Sequence, residues 1–296
     1  MTSLSQRSAH PTGPSPALAL VLAVAAVSWA AILIRWCDAP SLAIAFHRLL
    51  FATLLLLPWA PAAFRAADLR LWLQAGAAGV LLALHFALWI SSLEQISVAS
   101  SVLLVATQPV FTALAAPLLL GERPGRRGVA GLVLALGGML LLAAGDGEAG
   151  NLGHLLAVGG ALTGALYLIV GRKLRSRIAF LPYLFMVNLA TTLTLLLFAF
   201  GAGTRLGGFD RTTWLLFLLM ALGPHLVGHG LLNWSVRRLP ALPVNLAILG
   251  EPLLSAALAA WLLHERPAAA IYPAAILIAA GILLSLRDGT AEPAEL

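Results

Sequence analysis

Charge is what this chain has least of. Asp, Glu, Lys and Arg make up 10% of its 296 residues, where a soluble protein carries roughly 25%. That is too little polar surface to face water, so a soluble globular fold is excluded and lipid must be the solvent. Cysteine is nearly absent too. Cys37 stands alone, which excludes an internal disulfide and any cysteine-based metal site. Lysine occurs once, at Lys173, against 17 Arg. That bias fits a GC-rich bacterial genome. No GxxxxGK[ST] phosphate loop and no HExxH pair occurs, so neither ATP hydrolysis nor a zincin-type metal site is expected, and no cofactor is implied. The net charge of +6 does not point to nucleic acid, because the basic residues are scattered between apolar runs.

Apolar runs are what remains. Hydrophobic residues make up 60% of the chain. After a Ser/Pro/Thr-rich tail over 1–16, expected to be disordered, ten runs of about twenty residues follow, each long enough to cross a bilayer. They fall near 17–36, 41–60, 70–92, 97–120, 127–145, 152–171, 178–200, 212–236, 241–263 and 268–286. The first is longer than the apolar core of a cleaved signal peptide and reads as a span. The weakest boundary is Ser91–Ser97, marked only by Glu94 and Gln95.

Basic residues orient the spans. With the N-terminus inside, 13 of the 18 fall on the cytoplasmic side and only Arg205, Arg211 and Arg266 in outer loops. Arg35 and Arg48 lie within or at the ends of spans. This bias is the positive-inside pattern. It places both termini in the cytoplasm, and gaining or losing one span would scramble it.

One stretch occurs twice. Gln108–Pro124, QPVFTALAAPLLLGERP, aligns without a gap on Glu251–Pro267, EPLLSAALAAWLLHERP, at an offset of 143. Pro109 matches Pro252, Thr112 matches Ser255, and Glu122-Arg123-Pro124 matches Glu265-Arg266-Pro267. A repeated proline followed at fixed distance by a repeated Glu-Arg-Pro marks an internal duplication. The offset puts the copies on spans four and nine, so each unit has five spans. An odd number inverts the second unit in the membrane. Inverted repeats are a signature of secondary transporters, whose site lies near the midplane between the halves.

The apolar helix with a central proline that ends in Leu120-Gly121-Glu122-Arg123, and the glycines Gly131, Gly137 and Gly138 that follow, resemble the drug/metabolite transporter superfamily and its ten-helix EamA family. The second copy runs from Glu251-Pro252 through His264-Glu265-Arg266 to Gly281, with His264 where the pattern has Gly. Trp29 and Arg48 also resemble family positions. The resemblance covers about 17–287. It implies an all-α membrane protein of ten transmembrane helices, built as two inverted five-helix repeats around a central cavity. The first repeat takes residues 17–145 and the second 151–287, with a short tail over 288–296. Family members include exporters of amino acids and other small metabolites.

Candidate site residues are those both polar and deep, because an ionised group at mid-bilayer costs about 2.5–3.5 kcal/mol on insertion scales. Glu251 is the one acidic residue near the middle of a span, and its repeat mate is Gln108. Glu251 with Ser255, and Gln108 with Thr112, are i,i+4 pairs that share a helix face. Burial disfavours a carboxylate's charge, so Glu251 reads either as a proton carrier or as a neutral hydrogen-bonding group. Pro109 and Pro252 deny donors to the carbonyls of Val105 and Ile248, leaving acceptors for an ammonium or a cation. Span eight carries His225, His229 and Asn233 at i,i+4 spacing beside Pro224. The stripe suits proton handling or substrate binding, or plain hydrogen bonding between helices, and has no acidic third ligand for a metal. His85 and Trp89 repeat the spacing in span three. Trp29, Tyr167 and Asn188 are further candidates for the cavity wall. Arg48 either snorkels to the interface or holds a substrate carboxylate. Gly131, Ala135 and Gly138 in span five, with Ala275 and Ala279 in span ten, form small-residue ridges for close packing, as scaffold or as a dimer contact.

The combined expectation is a bacterial inner-membrane carrier of small metabolites, amino acids or related compounds foremost. Its partners are the substrate and the bilayer, and it acts as a monomer or as a homodimer through spans five and ten. A flippase of the same fold for lipid-linked substrates is one alternative. An intramembrane lipid-modifying enzyme is the other, and it lacks a convergent acid/base or metal constellation.

Overall fold

The computed structural model describes residues 15–96, 98–122, 124–143, 152–175, 177–262 and 271–288. The tail before Ser15, Arg123, the 144–151 connection, the second-copy His264–Pro267 and the tail after Asp288 lie outside these residues.

Among the described residues the chain is helical, with no strand. Seven stretches are long and apolar enough to cross a membrane, and a bent pair makes an eighth. The helices are α1 (Pro16–Val27) and α2 (Trp29–Arg35), forming one span; α3 (Ser41–Leu55), which bends by 52° into a stretch ending in α4 (Ala60–Ala66); α5 (Leu69–Ser92); α6 (Val98–Val105) and α7 (Gln108–Leu119); and α8 (Arg126–Ala143). The second half holds α9 (Leu152–Arg175), α10 (Phe180–Gly201), α11 (Arg211–Met220), a π-helical segment (Ala221–His229), α12 (Gly230–Ser235), α13 (Ala241–Ile248), α14 (Gly250–Leu262) and α15 (Ile271–Asp288).

Start and stop signals are local. Ser15 caps α1, its hydroxyl accepting from the Leu18 N–H at 3.2 Å. Asp68 caps α5 and Asp210 caps α11, accepting from Leu71 and Thr213 at 2.7 and 2.8 Å. An acidic N-cap satisfies an orphan donor and faces the positive end of the helix dipole. Hydrogen bonds from Thr213, through its side chain and its N–H, hold the Asp210 carboxyl below the usual carboxylate range. Gly121 ends α7 with φ +72°, a left-handed position that glycine takes without a Cβ penalty. The bend after α3 follows from Pro58, inside a single 3-10 turn at Leu57–Trp59. The turn near Ser91–Ser97 is pinned by Ser92 and Ser101, whose hydroxyls lie 2.6 Å apart, and by Glu94, which accepts from the Ser41 N–H at 2.9 Å.

Helix contacts obey an exchange symmetry. The pairing of α5 with α9 has its counterpart, at the repeat offset, in α1 against the π segment and α12. The pairing of α5 with α10 is matched by α3 against α11 and the π segment. The pairing of α6 and α7 with α9 is matched by α13 and α14 against α1 and by α14 against α2. Two pairings map onto themselves, α3 with α10 and α8 with α15, and the pairing of α7 with α13 is matched by that of α14 with α6. The halves are therefore interleaved, and the space between α1, α3, α5 and their repeat mates is the natural place for a cavity.

The pair α8–α15 stands to one side and packs backbone to backbone. A Cβ on Gly131 would fall 2.5 Å from the Gly281 carbonyl oxygen, and one on Gly281 equally close to that of Gly131. The Gly131–Ala135 ridge is thus covered within the chain, and α15 answers it with Gly281 and Ser285. The Ala279 of the expected span-ten ridge is exposed, and the Ala275 side chain lies outside the described set. Gly131→Ala is expected to lower the thermal midpoint in detergent by several degrees, since backbone must move and overpacking costs about 1–3 kcal/mol. Gly137→Ala, with nothing within 4 Å of the new Cβ, is the control. Equal midpoints for the two variants would show that the close contact is not needed.

Candidate functional site

Two broken spans frame the centre. The span formed by α6 and α7 breaks at Ala106–Thr107, just before Pro109, and the one formed by α13 and α14 breaks at Leu249, before Pro252. Proline has no N–H to return, so the carbonyls of Val105 and Ile248 lose their usual donors, and both residues line one central cavity. α1 gives way to α2 at Ser28, whose carbonyl accepts from the Ser255 hydroxyl at 3.1 Å. Gly228 lets the π segment touch α1, because a Cβ there would meet Val27 Cγ1 at 2.5 Å.

Seven of the expected residues converge on this cavity: Arg48, His85, Trp89, Gln108, Tyr167, His229 and Glu251. The lining atoms leave about 500 Å³ between them, but a water-sized sphere can be centred in only about 30 Å³. That holds one or two waters, so a substrate requires the halves to part.

Arg48 sits at 0% exposure, and none of its guanidinium nitrogens has a hydrogen-bond partner among the described residues. Its Cζ lies 4.4 Å from the centre of the Phe86 ring, a cation–π contact. Glu251 is its Coulombic partner. The Trp89 Nε1–H is also buried without an acceptor. The cavity therefore presents both unspent donors and, at Glu251 and the freed carbonyls, acceptors.

His85 is anchored, its Nδ1 2.9 Å from the Gly160 carbonyl oxygen, and its ring stacks on Trp89 at 6.0 Å between centroids. His229 lies edge-on to Phe86 at 5.2 Å and 6.2 Å from His85. Gly164 keeps the wall thin, since a Cβ there would meet Gln108 Oε1 at 2.7 Å and His85 Nδ1 at 2.8 Å.

The other expected residues stand behind this wall. Asn233 donates to the Tyr167 hydroxyl and to the His229 carbonyl at 2.8 Å, which leaves the Tyr167 O–H free to donate into the cavity. His225 is buried against Asn188, with Nε2 3.0 Å from its Oδ1, so the expected stripe does not line the cavity as a unit. The cause is the π segment. Its i→i+5 bonds widen the turn, so His225 reaches Asn188 while the two imidazoles stay 5.5 Å apart and both pack against Phe86. Ser255 spends its hydroxyl on Ser28. Its mate Thr112 is buried, with no partner for its own hydroxyl among the described residues. Trp29 is 37% exposed and lies off the cavity, so the expectation of a wall position is not met. Burying its ring in lipid or at the interface suits an aromatic residue near a helix break better. Phe86, which carries Arg48, was not among the expected residues and is an ordinary apolar letter in sequence.

A second polar cluster explains the Leu-Gly-Glu signature. Glu122 pairs with Arg172 at the end of α9 and accepts from the Ala241 N–H at 3.1 Å. Arg172 also donates to the carbonyls of Val236 and Leu239. One carboxylate thus ties the end of α7 to α9, α12 and the start of α13, joining the two halves at the basic end of the molecule.

The comparisons fit this architecture. A solved structure titled only "Crystal structure of protein" superposes with a TM-score of 0.75 at 20% identity, over 93% of this chain and 97% of that one, a likeness of fold alone. No match is found among curated protein sequences. The model of the EamA-like transporter family matches twice, over residues 15–144 and 151–287, one match per repeat. The chain is a multi-pass membrane protein and belongs to the EamA-like transporter family.

Proposed function

We propose that the chain is a secondary carrier that exports small metabolites, amino acids or related compounds foremost, by alternating access between two inverted five-helix halves. The observation that carries this reading is the central cavity, where a buried unpaired guanidinium and a carboxylate stand as the two formal charges of one site between the repeats. A zwitterion suits it. Its carboxylate takes Arg48 and the Trp89 N–H, and its ammonium takes Glu251 and the carbonyls of Val105 and Ile248. His85, Trp89 and His229 provide the walls. Two links between the halves flank the cavity: Ser255 to Ser28, and Glu122 with Arg172 to the α12–α13 turn. Alternating access then consists of releasing one link at a time. The exchange symmetry of the helix contacts supports the same motion, because each half can adopt the arrangement of the other. Ten spans, cytoplasmic termini and a bacterial inner membrane complete the proposal, on the charge bias of the connections.

Proteoliposome uptake of a panel of amino acids, with and without an imposed proton gradient, tests the carrier. Saturable uptake of at least one zwitterion is expected, and none of a decarboxylated amine of the same side chain. Equal uptake of the amine overturns the zwitterion site. Orientation is read in the same work from Cys37, which lies between α2 and α3 on the proposed outer side. Burial, with Asp210 and Asp38 nearby, pushes its thiol up to about 11, so labelling is slow at neutral pH and speeds up about tenfold per pH unit below that value. Reaction only from the cytoplasmic face overturns the orientation.

A further inference from the structure

A second cavity opens at the basic end, away from the central site. It is an open cleft between the first turns of α5, the end of α7 and the end of α9, with a cavity volume of about 200 Å³. Leu119, Leu120, Ile169 and Val170 make its body apolar, while Lys173 and Arg177 make its rim basic. The sequence places these groups on purpose-built faces. Val170, Lys173, Leu174 and Arg177 recur at i, i+3, i+4 and i+7, one stripe running off the end of α9. On α5, Gln74 and Ala77 line the cavity, and Arg70 lies one turn below Gln74 on the same face. Charge therefore sits at the end of each helix and apolar surface about 5–10 Å deeper, at 1.5 Å of rise per residue. The flanking residues Leu73, Leu114 and Leu118 are 66, 67 and 86% exposed, so the mouth faces the hydrocarbon.

We propose that this pocket binds one anionic phospholipid, with its phosphate between Lys173, Arg177 and Arg70 and an acyl chain along Leu119, Ile169 and Val170. The argument is complementarity along one axis. Basic groups at headgroup depth attract the negative leaflet surface at about 1 kcal/mol per residue, and the apolar cleft continues from them in the direction a chain must run. A free phosphate would leave that cleft unused, and a neutral lipid would leave the rim unused. The lipid would bridge α5 and α7 of the first half to α9 of the second, next to the Glu122–Arg172 link, so its presence would favour the conformation in which these helices touch. The inference concerns a site separate from the central cavity and holds whatever the substrate proves to be.

The test uses the full chain, purified and delipidated in an uncharged detergent, with thermal unfolding followed on addition of phosphatidylglycerol, phosphatidylcholine or inorganic phosphate. Phosphatidylglycerol is expected to raise the midpoint by about 5 °C beyond phosphatidylcholine, and phosphate to do nothing. The gain should fall by more than half in the Lys173→Glu, Arg177→Glu double variant, and likewise in Ala77→Phe, which fills the cleft without touching the charges. Either variant decides if the other fails to fold. Equal gains from both lipids, a gain from phosphate alone, a gain undiminished in the double variant, or one undiminished in Ala77→Phe overturns the proposal.

Discussion

Arg48→Met is expected to cut transport of carboxylate-bearing substrates sharply while leaving the protein as stable as the parent, or more so. The two halves of this prediction come from the same observation. A guanidinium at 0% exposure with no hydrogen-bond partner among the described residues is a costly group. Desolvating an ion costs several kcal/mol even after relaxation, and the Phe86 face at 4.4 Å returns about 1–2 kcal/mol. Replacing a poorly compensated buried charge by an apolar side chain of similar volume is often neutral or stabilising. Glu251, deprived of its cation, can take up a proton. Function should go the other way. A substrate carboxylate that loses a charge-assisted contact loses about 1.5–3 kcal/mol, so kcat/KM should fall about 10- to 150-fold. Uptake in proteoliposomes and the thermal midpoint, measured on one preparation, check both. A stable variant that transports at the parental rate removes Arg48 from the site. A variant that unfolds and cannot be assayed makes Arg48 a structural residue, and Arg48→Lys, which keeps the charge but not the planar fork, then reports whether charge alone restores the fold.

Much of this was legible in the sequence. The offset of 143 and the five-span unit anticipated the exchange symmetry of the helix contacts, because the repeated Gln/Glu-Pro sets where both central spans break. Deep polar letters in an apolar chain are expensive, so they had few places to go, and Arg48, His85, Gln108, His229 and Glu251 do meet in one cavity. What escaped had no such signal. That His229 lines the cavity and His225 stands behind it on Asn188 follows from a π segment, and Pro224 announces a disturbed helix without saying which kind. Trp29 carries an apolar ring that fits a wall or a lipid face equally well, and only the packing of α1 and α2 decides. Phe86 and Gly164 are ordinary residues of apolar helices whose roles come from what stands opposite them. A second trace of the duplication was present and unused: Asp68 and Asp210 open α5 and α11 with the same N-cap bond, at an offset of 142. A one-residue slip hides such a pair from any gapless alignment.

Glu251→Gln is expected to uncouple transport without destroying it. Glu251 lines the central cavity with Arg48 as its Coulombic partner, and the next turn of its helix is held from across the repeat boundary, where the Ser255 hydroxyl donates to the Ser28 carbonyl at 3.1 Å. Two influences act on its carboxylate in opposite senses: loss of water disfavours the charged form, and the guanidinium favours it. A substrate carboxylate arriving at Arg48 removes the second influence, so substrate binding and protonation of Glu251 assist each other. That is reciprocal coupling between two ligands of one cavity, and it suffices for a proton to travel with, or against, the substrate as the halves alternate. Gln keeps the size and most of the hydrogen bonding of Glu but cannot exchange a proton, and it recreates the Gln-Pro pair already present at Gln108-Pro109. The variant should therefore reach the membrane, bind, and exchange substrate across the bilayer at a rate within about threefold of the parent, a loss of under ~1 kcal/mol. Accumulation driven by a pH gradient should disappear. The pH dependence of exchange, present in the parent, should flatten. Glu251→Asp, one methylene shorter but still ionisable, should restore part of the driven accumulation, an effect that a purely structural role for the side chain would not produce. Undiminished gradient-driven accumulation by Glu251→Gln would leave the carboxylate as a fixed partner of Arg48 and assign proton movement, if any, to the neighbouring imidazoles of His85 and His229.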